Sequence, residues 1–263
     1  MANLTKSDKS FVIPVLDFSP HSPYNIRTLL KDLDRVDGEV ICIFNCQEVF
    51  EELKTHPRID KFCYNNLNAG VSRSWNMGIN MAESEAVFIL NADLHIQPAA
   101  IEKIQAYLFN LEKAVLVGPQ GSMVDFPNLQ DIHYYDKGSF QSPKRVHAVS
   151  GFFFAIHRQR FLENRLAFDV RYSPCFMEEW DMGLQVIKAG LYSYIVPVTE
   201  FEHAWGISGN HGNREINYFG KKVCRDDIIV RNQRQFIEKW FVVKLMDGSR
   251  NGQDNRQAKA AGT

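Results

Sequence analysis

Through the first half of the chain, short apolar runs alternate with amphipathic stretches. Phe11–Leu16 (FVIPVL), Glu39–Asn45 (EVICIFN), Ala86–Leu90 and Val115–Val117 are nearly continuous in apolar residues, and Ile59–Tyr64 is a further candidate strand. Such continuity is the pattern of strands covered on both faces. Between the runs the period becomes helical. Ile26, Leu29, Leu30 and Leu33 share a face of Asn25–Leu33, and Gln47–Lys54 suits a second helix. Trp75 and Ile79, with Val71, form the stripe of a third helix ending at Met81. Ile101, Ile104, Leu108 and Leu111 follow Pro98, a residue suited to a first helical position. This alternation predicts an α/β fold: a mostly parallel, doubly wound sheet flanked by helices.

The second half is less regular. Gly118–Ser142 is rich in Gly, Pro, Asn and Asp and reads as loops or a small meander. Val146–Ile156 reads as a Phe-rich strand and Tyr192–Val196 as another. Between them Glu178–Ala189 is a helix stopped by Gly190 at the C-terminal cap position. Asp247–Thr263 is polar without apolar periodicity, which predicts disorder.

Composition narrows the classes. The chain has 263 residues, 45% apolar and 23% charged, the balance of an ordinary globular protein. Thirty Lys and Arg against 31 Asp and Glu leave a charge of −1, which argues against a nucleic-acid partner. No run approaches the ~20 apolar residues of a membrane span, and the polar MANLTKSDKS start lacks the apolar core of a secretory signal. The five cysteines are odd in number and without CxxC spacing, so reduced thiols in a cytoplasmic protein are expected. Cys42 and Cys46 are expected on one face of a strand, too far apart to bridge.

Candidate chemistry gathers where the predicted strands end, the rim at which open α/β sheets bind ligands. Asp17 closes the first strand, Asn45 the second, and Asn91-Ala92-Asp93 the fourth. Asp and Asn also open turns, which accounts for any one of them alone. No GxGxxG follows the first strand and no GxxxxGK[ST] occurs, so dinucleotide and P-loop readings lose their support. A nucleotide's pyrophosphate would then be held through Mg²⁺ or Mn²⁺ on a carboxylate, with Asp93 the leading candidate. His203 adds an imidazole that Mn²⁺ tolerates better than Mg²⁺, unless it is a structural hydrogen-bonding residue; His95, two residues after Asp93, ranks below both. Glu178, Glu179 and Asp181 fall in one first helical turn. Complementarity to the helix dipole explains them without catalysis; a general base for a hydroxyl nucleophile is the functional alternative.

In this order the pieces resemble a glycosyltransferase of the GT-A fold, in the inverting family 2 and its rhamnosyltransferase-like branch of bacterial surface polysaccharide synthesis. The resemblance covers about Phe11 to His203. It rests on Phe-Val-Ile-Pro-Val-Leu-Asp, the Asn68-Ala-Gly-Val-Ser-Arg-Ser-Trp-Asn-Met-Gly segment, Phe88-Ile-Leu-Asn-Ala-Asp, Ser150-Gly-Phe-Phe-Phe, and Glu178-Glu179-Trp-Asp181 before Lys188-Ala-Gly190. It implies one domain over residues 1–246, with a nucleotide-sugar half (11–117) and an acceptor half (118–246). It implies Pro14, Asp17, Asn45, Asn76 and Asn91 at the nucleotide sugar, Asp93 on the cation with His203 as an additional ligand, and Glu179 as base, with Glu178 and Asp181 as alternatives. Asn91 and Asn45 stand where relatives carry Asp, which removes negative charge.

The reaction so implied is a single displacement. A nucleoside diphosphate sugar passes its sugar, with inversion, to a hydroxyl of a saccharide or lipid-linked saccharide. Trp205 is expected to stack on a sugar ring or to anchor the loop, and the Gly206–Gly212 stretch to close over the donor. A nucleotidyltransferase would need a phosphate-gripping loop that SPHSPYN does not supply. A non-catalytic carbohydrate- or nucleotide-binding domain is the other alternative, favoured by Asn91 and Asn45. Lys221, Lys222, Arg225, Arg231 and Arg234 read as a solvated helix face, with peripheral contact to anionic headgroups at the inner membrane face as the alternative.

Overall fold

The computed structural model describes residues 8–19, 22–203 and 215–242. Strands β1 (Lys9–Val15), β2 (Glu39–Phe44), β3 (Lys61–Tyr64) and β4 (Ala86–Leu90) lie parallel in the order 3-2-1-4. Helices α1 (Ile26–Leu33), α2 (Gln47–Leu53) and α3 (Val71–Met81) connect them. After β5 (Leu94–Ile96) and α4 (Pro98–Asn110, with Pro98 in the first turn) comes β6 (Ala114–Gly118). A hairpin follows, β7 (Gly121–Asp125) and β8 (Gln130–Tyr135), where the sequence reads as loop or meander.

Val146–Ile156 is not one strand. It divides among β9 (Lys144–Val146), β10 (Ala148–Val149) and β11 (Phe153–His157). β11 enters the main sheet antiparallel between β4 and β6, while β10 joins β7 and β8 in a second sheet. The backbone thus changes sheets twice, which an apolar run cannot reveal because Val146, β10 and β11 are all buried alike. α5 (Arg158–Glu163) and α6 (Glu178–Lys188) precede β12 (Tyr192–Ile195), which runs parallel to β6 and carries β9 on its outer edge. β13 (Phe201–His203) pairs with β5, and the hairpin β14 (Glu215–Tyr218) and β15 (Lys221–Cys224) leads into α7 (Arg225–Ile237) and a π turn over Glu238–Val242.

The eight-stranded sheet, 3-2-1-4-11-6-12-9, draws strands from both halves of the chain. Its two faces explain the continuous apolar runs. Phe11, Ile13 and Val15 pack with Phe88 and Leu90 beneath α1 and α4, whereas Val12, Val87 and Ile89 pack with Trp75 and Ile79 of α3 and Met182 of α6. Successive residues of a strand point to opposite faces, and here both faces are covered. α3 lies so close to β1 that a Cβ on Gly78 would sit 2.1 Å from Val12 Cγ1. A third cluster joins Val124 and Phe126 of the second sheet region to Tyr172, Trp180, Phe236 and Trp240.

Local signals set the ends. Asn25 and Thr28 form a reciprocal capping box on α1. Gly190, just past α6, has φ +70°, a left-handed conformation that glycine adopts without a Cβ clash. Cys46 is not within a strand; it is the residue before α2, and all five cysteines are free. No described helix is long and apolar enough to cross a membrane. Residues 247–263, Trp205 and Gly206–Gly212 lie outside the described residues.

Candidate active site

A cleft of about 500 Å³ opens beyond the carboxyl ends of β1 and β2. Asp17, Asn45, Asn66 and Asn68 line one side, and Glu215, Ile216 and Asn217 of the β14–β15 hairpin line the other. Asn68 holds that hairpin in place, donating from Nδ2 to Asn217 O at 2.7 Å. Arg73 adds a hydrogen bond to Tyr218 Oη at 2.8 Å. Asp17 is exposed and caps its own turn, accepting from Ser19 N at 2.7 Å. Pro14 sits on β1 past the last residue paired with β4, where its missing N–H interrupts no ladder on that side.

Two of the asparagines do structural work. Asn45 is buried, and each of its side-chain atoms has two partners. Nδ2 donates to Ile43 O and Ser74 Oγ, and Oδ1 accepts from Ala69 N and Asn65 Nδ2. With four bonds its hydrogen-bonding capacity is filled, so it shapes the cleft wall and has nothing left for a ligand. Asn76 clasps one peptide unit, donating to Phe168 O at 2.7 Å and accepting from Phe168 N at 3.0 Å. It fastens α3 to the segment that precedes α6. In this structure both amides hold backbone and side-chain groups of the scaffold, and Asn45 also lines the cleft.

At the end of β4 the chain makes a tight turn in which Leu94 N donates to Asn91 O at 3.2 Å. The turn places Asp93 against the last residue of β13. Asp93 Oδ1 and His203 Nε2 are 3.2 Å apart, and both side chains are largely buried. The β5–β13 ribbon, with His203 opposite Leu94, brings together residues 110 positions apart in the chain. The His203 ring lies flat on Phe152, centroids 4.3 Å apart and planes within 9°. His95 points elsewhere, bonding Asp32 at 2.8 Å and stacking on Tyr24.

The Asp93–His203 pair fits a divalent cation. Two ligands ~2.1 Å from one octahedral ion at a right angle stand ~3 Å apart, close to the separation here. An oxygen and an imidazole nitrogen suit Mn²⁺ better than Mg²⁺. Among the described residues no third His, Cys, Asp or Glu joins them, so remaining positions would fall to a ligand's oxygens or water.

The acidic turn of α6 splits into three environments. Glu179 is half-buried, and its Oε1 accepts from Gly151 N at 3.2 Å. A Cβ on Gly151 would come within 2.6 Å of that oxygen, so glycine permits the approach. Burial pushes the Glu179 pKa up and Asp131 adds to the shift, while the amides of Glu179 and Gly151 pull it down. Glu178 is buried, with no hydrogen-bond partner for Oε2 among the described residues. Burial and the neighbouring Glu179 charge raise its pKa well above that of an ordinary glutamate.

Asp181 is sealed. It accepts from Trp240 Nε1 at 2.8 Å, Gln185 Nε2 at 2.6 Å and Tyr172 Oη at 3.3 Å, and pairs with Lys239 Nζ at 2.6 Å. It anchors the helix and has no face toward a substrate. The turn before α6 is also unusual, with Phe176 and Met177 both left-handed at φ +77° and +78°. Each costs roughly 1–2 kcal/mol for a side-chain-bearing residue.

One turn of chain connects the two centres. Ser150–Gly151–Phe152 precedes β11; Gly151 touches Glu179, and Phe152 both stacks on His203 and accepts from Asn91 N at 2.8 Å. Tyr134 of β8 closes the Glu179 side, bonding Ser150 Oγ at 2.9 Å; burial pushes its pKa up to about 12. Sequence patterning misses Tyr134 and the whole β14–β15 hairpin. It reads a helix face over Lys221–Arg234, but Lys221 and Lys222 stand in β15 and α7 begins at Arg225; the buried stripe Ile228, Asn232 and Phe236, recurring every four residues, is a usable signal.

The comparisons bear on this geometry. No curated protein matches the sequence. The fold is similar to that of a crystal structure of GalNAc-T7 with UDP, GalNAc and Mn²⁺, with a TM-score of 0.65 and 14% identity over 91% of this chain. The match spans 49% of that longer chain. It establishes the GT-A fold, an eight-stranded, mostly parallel sheet with covering helices. Residues 12–164, more than half of the sequence, match the profile of glycosyl transferase family 2, from β1 through α5. With that match and that fold, the chain belongs to glycosyl transferase family 2.

Proposed function

We propose that this chain is an inverting transferase that moves a sugar from a nucleoside diphosphate sugar to a hydroxyl of a saccharide or lipid-linked saccharide. The observation that carries the reading is the Ser150–Gly151–Phe152 turn. Its consecutive residues touch Glu179 on one side and His203, beside Asp93, on the other. Gly151 and Phe152 are consecutive, so a single turn of backbone ties the position of the acid to that of the Asp93–His203 pair. The structural neighbour was crystallised with UDP and Mn²⁺, in keeping with a nucleotide and a divalent ion.

In this reading the nucleoside lies in the cleft beyond β1 and β2, with Asp17 and Asn68 at its wall. Asp93 and His203 hold Mn²⁺ or Mg²⁺, which supplies positive charge for the departing diphosphate. Asn91 bonds a hydroxyl of the donor without adding negative charge. Glu179 takes the proton of the acceptor hydroxyl, which attacks the anomeric carbon from the face opposite the diphosphate. A base must be ionised, so activity falls as pH drops through its raised pKa, and the acid limb lies above the ordinary glutamate value. The inner membrane face remains the proposed meeting place with a lipid-linked acceptor.

Nucleotide release from a panel of nucleoside diphosphate sugars, with Mn²⁺ and candidate acceptors, tests the reading. Glu179→Gln should lower turnover by about 10²–10⁴-fold, and Asp93→Ala by about 10²-fold or more, with melting temperatures near that of the parent. Full turnover in Asp93→Ala, or in excess chelator, would sink the cation assignment; full turnover in Glu179→Gln would sink the base.

A further inference from the structure

Asn232 of α7 is fully buried and lies far in sequence from the acidic turn, yet it holds the segment leading into it. Its Nδ2 donates to three carbonyls: Tyr172 at 2.7 Å, Cys175 at 2.9 Å and Phe176 at 2.9 Å. A primary amide has two hydrogens, so one is shared between two oxygens. Three carbonyls can only be met by the nitrogen, which fixes the orientation of the amide. Its Oδ1 accepts from Arg231 Nε at 3.0 Å and Nη2 at 2.9 Å, and Arg231 also bonds Ser173 O.

The held segment is the one with two successive left-handed residues, Phe176 and Met177. Such conformations persist where surrounding contacts over-determine them. The first helical bond of α6, Asp181 N to Met177 O at 2.9 Å, starts from that turn. On its other side Asp181 is gripped by Lys239 and Trp240. Glu179 lies between the two grips. We propose that Asn232 is a positioning residue: by clamping the Tyr172–Phe176 carbonyls it sets where α6 begins and where Glu179 meets the substrate. The proposal rests on Glu179 as base, and it assigns a role to a segment beyond the stretch that matches the family profile.

Asn232→Ala and the milder Asn232→Ser, in the full chain, test it. With the sugar nucleotide that the panel identifies, kcat should fall about 10- to 100-fold, as expected for a displaced catalytic group. Donor KM, and calorimetric binding of UDP with Mn²⁺, should stay within about twofold, because the nucleotide cleft is built by other elements. The acid limb of the pH–rate profile should shift, since Glu179 moves relative to Glu178, Cys175, Asp131 and Tyr134. Hydrogen exchange, which needs no donor, should quicken over residues 178–182 and stay unchanged in β1 and β4.

Parental kcat with an unmoved acid limb would overturn the proposal. So would parental exchange over 178–182, or a loss of kcat that merely tracks UDP binding and melting temperature. If neither variant folds, Trp240→Phe, which removes one donor to Asp181, is read by the same criteria. Activity retained in Glu179→Gln would instead refute the base itself, a separate outcome.

Discussion

Glu178 and Asp181 show how little charge alone says about a carboxylate. Both are buried in the same helical turn, but Asp181 has a lysine and three hydrogen-bond donors, whereas Glu178 has an oxygen without a partner among the described residues. Burying an unpaired charge is costly, and a carboxyl group answers by holding its proton. Because the folded pKa of Glu178 is raised, its ionisation penalises the fold above that pKa, and the penalty vanishes as pH falls toward the unfolded value. Glu178→Gln should therefore raise the melting temperature at pH 8, by roughly 2–4 °C for each kcal/mol recovered. The gain should shrink as pH falls through the raised pKa, a trend that calorimetric scans over pH would follow. An equal gain at every pH would mean that ionisation of Glu178 is not the cause.

At the level of elements, α6 depends on close approach as much as on its acids. A Cβ on Gly183 would lie 2.0 Å from His147 O, between β9 and β10. A backbone carbonyl cannot turn aside, so the helix must move. Gly183→Ala should cost about 1–3 kcal/mol or more, despite alanine's higher helix propensity, and should lower turnover along with the melting temperature. Thermal unfolding and the donor assay together measure both effects; a stabilised variant would show that the helix has room. The same close fit holds α3 on β1 at Gly78. These contacts explain why the acid-bearing helix and the Asn68–Arg73 region keep fixed distances from one sheet.

Across the whole molecule, the stretch matching the family profile ends at residue 164, yet the proposed base follows it and is held from still farther along. Phe236 is fully buried against Tyr172, Phe126 and Trp180, so α7 is part of the core. Ending the chain after Cys224 would strip Asp181 of Lys239 and Trp240 and leave a buried carboxylate uncompensated. Breaking a buried pair in this way costs about 3–5 kcal/mol, to which the lost apolar burial adds. The truncated chain should melt well below the parent or fail to accumulate as folded protein, as circular dichroism and size-exclusion chromatography would report. A parental melting curve would mean that α7 contributes little.

The strands β1, β2, β4, β6 and β12 and the helices α1–α4 and α6 are legible from patterning, because burial on both faces leaves unbroken apolar runs and one-sided packing leaves a helical stripe. So are the helix stop at Gly190, whose left-handed backbone suits glycine, and the helix start at Pro98. The chain of residues also determines which acids stand at strand and helix ends, and hence Asp93 and the Glu178–Asp181 cluster as candidates. Their different surroundings came only with the fold. Asp93 meets His203 because β5 pairs with β13, and Asp181 is sealed while Glu179 is half-buried because Tyr172, Lys239 and Trp240 converge on one side of α6. Local pattern reports what a segment buries; pairing across a hundred residues depends on the summed packing of the sheet, which no window of sequence contains.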